Sequence, residues 1–413
     1  MAVRFAVLVS LVFMGCAGPA PLKFAVQEEA AAPEKDHDPF SIDLGYAHTG
    51  LSFGNSPVWN GIRLNFRDHQ IDRINGLNVT FWKPGRVKGS NMTGIAAGLY
   101  GPAAGDLTGI SLGGIATVAE GDLTGIHAAG LSTVAEGDST GISAALIADV
   151  AEGDLTGIHA GGLIAVSKAN MTGIGGALIA TVATDDMCGV HLSGLTTFSS
   201  GHMTGIHAGG LATVAAGNMI GANLSLLGTI AMGRLIGINV GGLAVVAGDG
   251  IFGLSGALTR IASGSDITGI TLAGLSIEAG EGWAAEMKVK PPLDETDDGE
   301  APEIEPPAPA EETGEPPRRR LSSLTGIAGA LFKVRAHEIN ALTLAGGMTQ
   351  ADQHNGLSVA AYNRIDEIQN GVTIGVFNSS ESVEGFGFQL GLLNHIPSNP
   401  TWARWLPIFN TRF

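Results

Sequence analysis

The chain is poor in aromatic rings, in positive charge and in cysteine, and each shortage excludes something. Tyrosine occurs three times, and Phe, Trp and Tyr together make up 6% of 413 residues. A core must therefore be filled by Ile, Leu, Val, Met and Ala, and aromatic girdles at two membrane interfaces cannot be supplied for many strands. Lys and Arg number 22 against 39 Asp and Glu, for a net charge of −17. Neutralising phosphates needs clustered positive side chains, so DNA and RNA are excluded as partners. Two cysteines, Cys16 and Cys188, make no disulfide scaffold.

The first residues, MAVRFAVLVSLVFMGCAG, join one positive residue, Arg4, to an apolar run from Phe5 to Met14 and then to Gly15-Cys16. That order reads as an export signal, and the run is much shorter than the ~20 residues of a membrane span. Gly15-Cys16 resembles the lipobox of bacterial lipoproteins, which implies lipidation of Cys16, with Ala17 next to it resembling lipoproteins sorted to the outer membrane. Residues 1–15 are then the signal peptide. Residues 16–58, rich in Ala, Pro and Glu at their start, form a lipid-anchor tether and entry segment.

What the chain has in abundance is glycine, 62 residues of it, placed by a rule. Gly109, Gly125, Gly141, Gly157, Gly173, Gly189, Gly205, Gly221, Gly237, Gly253 and Gly269 follow one another at intervals of 16 without insertion or deletion. GDLTGIHAAGLSTVAE at Gly121 returns as GDLTGIHAGGLIAVSK at Gly153. A short fixed period means a repeat architecture. Four apolar columns run through it: Leu107, Leu123, Met171 and Met187; Ile110, Ile126, Ile142, Ile158 and Ile174; Ile115, Leu131, Ile147 and Leu163; Val118, Val134, Val150 and Val166.

The grammar is that of strands, because β-branched residues are frequent, turn signals such as Glu-Gly-Asp close the unit, and glycine inside a helix would cost ~1 kcal/mol each. The expected fold is all-β, an array of 15–16-residue units stacked as a parallel β-solenoid in which like positions form ladders ~4.8 Å apart. The alternative is an outer-membrane β-barrel with one strand per repeat, disfavoured by the aromatic shortage. In the solenoid, Ile158 is expected inside, stacked between Ile142 and Ile174, and His159 outside in a solvated slot.

The array is expected over residues 59–287. Residues 288–320, containing DETDDGEAPEIEPPAPAEETGEPPRRR, are too acidic and Pro-rich to fold and read as an inserted disordered segment. Repeats resume over 321–398, and an aromatic cap occupies 399–413. The segments NGVTIGVFN (Asn370 to Asn378) and GFQLGLLN (Gly387 to Asn394), followed by PTWARWLPIFN, resemble bacterial surface-repeat proteins built of GLxIGLxN units. The resemblance covers most of the chain from about Asn60. It implies an exported cell-envelope protein with no catalytic residues to carry over.

Chemistry is sparse. His127, His159, His191 and His207 share one repeat position and could offer imidazoles to a transition metal. The same slot also holds Ser111, Ser143, Gly175, Asn223 and Asn239, which reads as an ordinary polar position. Asp106, Asp122, Asp138, Asp154 and Asp186, with Glu120, Glu136 and Glu152, could suit Ca²⁺, but Asp is also an ordinary turn residue and the Gly-Gly-x-Gly-x-Asp pattern is missing. His337-Glu338 is followed by Ile339-Asn340-Ala341, so a zinc-protease pair is incomplete. No catalytic, metal or cofactor site is expected. The expected function is a non-catalytic surface-repeat lipoprotein of the outer membrane or cell surface, structural or adhesive, with a lipid-held membrane and an envelope or surface molecule as partners. A solute-passing barrel is the alternative.

Overall fold

A computed structural model describes residues 40–85, 89–280 and 322–413. Cys16, the export signal and the acidic insertion lie outside the described residues. The described chain is all-β, 70% strand with no helix. It forms two compact units, residues 1–198 and 199–413, each a parallel β-solenoid with turns of about 16 residues.

One turn shows how the sequence is used. A long strand, Leu155–Gly161, is followed by a tight turn and a short strand, Ile164–Ser167. The next turn repeats the pair as Met171–Ala177 and Ala180–Ala183. Pairing is parallel and unshifted: Leu155 with Met171, Gly157 with Gly173, Ile158 with Ile174, Val166 with Val182. The corners join the ladder as well, with Gly162 N donating to Ala145 O at 2.7 Å and Gly153 N to Gly137 O at 3.0 Å. One inserted residue would therefore break hydrogen bonds on every side of a turn, and from Gly109 to Gly269 the spacing stays at 16. A barrel wall of the outer-membrane type needs antiparallel sequence neighbours; here strands pair in parallel with the equivalent strand of the next turn.

The glycine column is required by geometry. Gly157 has φ of 122°, and a Cβ added there would stand 2.0 Å from Gly141 O. Both the backbone conformation and the close approach of the neighbouring turn exclude a side chain.

The structure reverses the expected inside and outside at this strand. Ile158 stacks between Ile142 and Ile174 as expected, but the stack faces outward, and Ile158 is 45% exposed. His159, expected in a solvated slot, is 1% exposed. The physical reason is the two-residue period of a strand. Leu155 and Ile158 are three apart and cannot share a face, so only one of their columns can be core. The core takes the Leu/Met column, with Leu107, Leu123, Leu155, Met171 and Met187 buried, together with the small Ala119, Ala135, Ala151 and Ala183. The Ile115 column lies outward, exposed at Ile115, Leu131 and Leu163. The valine column stays covered: Val150, buried, and Val166, half-buried, pack with Ala148, Ile164 and Ala180 in a second apolar cluster along the short strands.

Each unit has one antiparallel end. In the first, Ser41–Tyr46 pairs antiparallel with Thr49–Gly54. In the second, Trp405–Thr411 turns back along Phe388–His395, stacking Trp405 on Phe377 at 5.9 Å and on His395 at 3.9 Å. Also in the second unit, the strand Asp266–Ala273 pairs directly with Ser323–Ala330, Ile267 opposite Leu324.

Candidate functional site

The polar residues concentrate in two places, the interior and one corner of each turn. The interior column in the first unit runs His127, Ser143, His159, Gly175, His191 in register. Beside it, the short strands contribute Thr117, Thr133, Asp149, Ala165 and Thr181. Asp149 and its partners are almost fully buried. Its Oδ1 accepts the Thr133 hydroxyl at 2.5 Å, and its Oδ2 accepts the Ser143 hydroxyl. Ser143 Oγ lies 2.7 Å from His159 Nδ1, and His159 Nδ1 is 3.4 Å from Asp149 Oδ2. Since the single hydroxyl proton of Ser143 goes to Asp149, His159 Nδ1 carries a proton and donates to Ser143.

Serine, histidine and aspartate thus meet, but not as a hydrolytic triad. There, one imidazole nitrogen faces the serine and the other faces the acid. Here a single nitrogen, Nδ1, faces both, and Ser143, His159 and Asp149 are each 1% exposed. The cluster is a hydrogen-bond set that keeps a carboxylate inside a narrow core, with His159 Nε2 buried and without a partner of its own.

The histidines themselves do not converge. His127, His159 and His191 are separated by whole turns holding Ser143 and Gly175, so alternate imidazoles start about 9–10 Å apart, too far to share an ion with ~2 Å bonds. Among the described residues no group of three or more His, Cys, Asp or Glu could hold a metal. Burial depresses the His191 imidazole to about 4, the Cys188 carbonyl opposing that shift and the neighbouring His159 adding to it. Burial also lowers His127, against the Thr124 carbonyl and Asp149, which favour its charged form. In the second unit His207 aligns with Asn223 and Asn239, and burial holds His354 at about 4.

The acidic corner is a staircase. Asp106 Oδ1 accepts from Asp122 N at 3.0 Å, Asp122 Oδ1 from Asp138 N at 2.9 Å, Asp138 Oδ1 from Asp154 N at 2.8 Å, and Asp154 Oδ1 from Asn170 N at 2.9 Å. Each side chain caps the backbone of the following turn, and Asn170 serves as well as Asp because a carbonyl oxygen suffices. Lys168 meets Glu152 at 2.5 Å across one turn. Farther along, His337 Nδ1 is 2.5 Å from Asp352 Oδ2. Cys188 is free and exposed, in register with Thr172.

Sequence reasoning did not find Asp149. A signal exists: it is the one charge in a column otherwise read as Thr117, Thr133, Ala165 and Thr181. A second buried cluster was missed in the same way, with Arg63 donating to Asp68 at 2.5 Å, Asn78 at 2.7 Å and Asn55 at 2.8 Å. No family model, curated protein or solved structure matches this chain.

Proposed function

We propose that the protein is a non-catalytic, exported surface-repeat lipoprotein, a structural or adhesive module of the bacterial cell envelope anchored through Cys16. The observation that carries this reading is the division of labour in each turn. The polar groups with chemical potential, Asp149, Ser143 and His159, are buried and engaged with one another, while the outward face of the long strands repeats threonine and isoleucine in register from turn to turn. A scaffold that presents the same side chains every ~4.8 Å suits repeated contact better than turnover of a bound substrate. The N-terminal Gly15-Cys16 supplies the address.

The test is palmitate labelling of the full chain together with protease shaving of intact cells. Wild type should incorporate label and be cut at the surface, and Cys16→Ser should lose the label. Absence of label in wild type would remove the anchor from the proposal, and full protection from protease would remove the surface.

A further inference from the structure

Seven long strands of the first unit, from Asn91–Gly98 to Met187–Ser193, present an outward face that is in register and poor in charge. In the turn at Leu155–Gly161 the outward residues are Thr156, Ile158 and Ala160, all exposed. The pattern holds from Asn91–Gly98 to Met187–Ser193, with Ile110, Ile126, Ile142 and Ile174 each more than a third exposed. Apart from Asp106, at the first position of Asp106–Gly113, none of the outward positions of these seven strands is charged. Seven strands ~4.8 Å apart and ~23 Å long make a face of roughly 700–800 Å². The largest apolar patch on an ordinary monomer is ~300–600 Å², and a stable protein interface takes ~800 Å² from each partner.

We propose that this face is an interface with a second copy of the same chain, two solenoids laid face to face about a twofold axis running along the stack of turns. Three features of the face select a copy of itself. The isoleucine ladder is the central column, so the axis sets isoleucine on isoleucine at the same turn spacing. The threonine row then lies over the partner's row Ala97, Leu112, Ala128, Ala144, Ala160, Gly176 and Leu192, so across the four middle turns large meets small at the seam. The acidic staircase runs along one margin only, and the same rotation sends the two staircases to opposite margins, so the carboxylates do not confront each other. The interface does not depend on lipidation of Cys16.

The test places a photoreactive benzoylphenylalanine at Ile142 of the full chain in bacterial cells that export it. Irradiation should give a product of twice the chain mass containing peptides of this chain alone, and the same photoreactive residue at Glu152 should give none. Ile158→Glu should cut the Ile142 cross-link at least tenfold while the chain keeps wild-type resistance to trypsin. If that variant loses resistance, Ile158→Thr, which keeps a β-branched side chain, should still reduce the product several-fold. Monomer alone, an adduct to phospholipid or an adduct to another protein would overturn the proposal, as would equal cross-linking from Glu152 or a product indifferent to both substitutions.

Discussion

Ile158 and His159 are adjacent in the chain and point in opposite directions, the hydrocarbon toward the surface and the imidazole into the core. The inversion is sustained by local pairing of polar groups, because the buried imidazole is held 2.7 Å from Ser143 Oγ, whose proton serves Asp149. An interior of this kind is stable only while each of its members is present.

Substitution at the two neighbours should separate their roles. Ile158→Asp places a charge at an exposed position and should change stability by no more than about 1 kcal/mol. His159→Ala removes a donor from the buried set and leaves a space, and should cost about 2–4 kcal/mol. Urea denaturation of the two purified variants checks this, and a severe loss from Ile158→Asp alone would restore isoleucine to the inside.

The Asp149 cluster should behave as a unit. Asp149→Ala strands the hydroxyls of Thr133 and Ser143, and should destabilise by about 3–5 kcal/mol. A double-mutant cycle with Ser143→Ala should show a coupling of about 1 kcal/mol or more, because the second change removes a donor already orphaned by the first. Additive losses would mean that the hydrogen bonds contribute little.

Two glycines give a direct contrast. Gly157→Ala forces a side chain onto φ of 122° and against Gly141 O, and should cost about 3 kcal/mol or more. Gly176 has open space around an added Cβ, so Gly176→Ala should be neutral or stabilising by up to about 1 kcal/mol through the unfolded state. Thermal melts of the two variants are the measurement.

Acid should weaken the fold before its carboxylates are protonated. His191 is held at about 4 in the folded chain, against about 6.5 when unfolded. Between these values the unfolded chain binds a proton that the folded chain does not, so stability falls as pH falls. For His191 alone the loss over the window is on the order of 3 kcal/mol, and His127 and His354 act in the same direction. Melting temperature should therefore drop between pH 6.5 and pH 4, and His191→Asn should flatten that part of the curve. A slope unchanged by His191→Asn would assign the acid sensitivity elsewhere.

The sequence by itself determined the rung. Glycine at intervals of 16, β-branched neighbours and Glu-Gly-Asp corners dictate strands of fixed length, and an unbroken period allows the zero-shift parallel pairing seen between Gly157 and Gly173. It did not determine which side of the rung is the inside. The Leu155 and Ile158 columns are both apolar and lie on opposite faces of one strand, so hydrophobicity weighed almost equally for either answer. Only the closing of the turn decided it. The short strand brings Ala151 and Asp149 to the interior, where small side chains leave room for leucine and methionine. Ser143, Thr133 and His159 satisfy the carboxylate there, and those partners lie 6, 16 and 10 residues from Asp149 in sequence. Their meeting is a property of stacked turns, and no single repeat contains it.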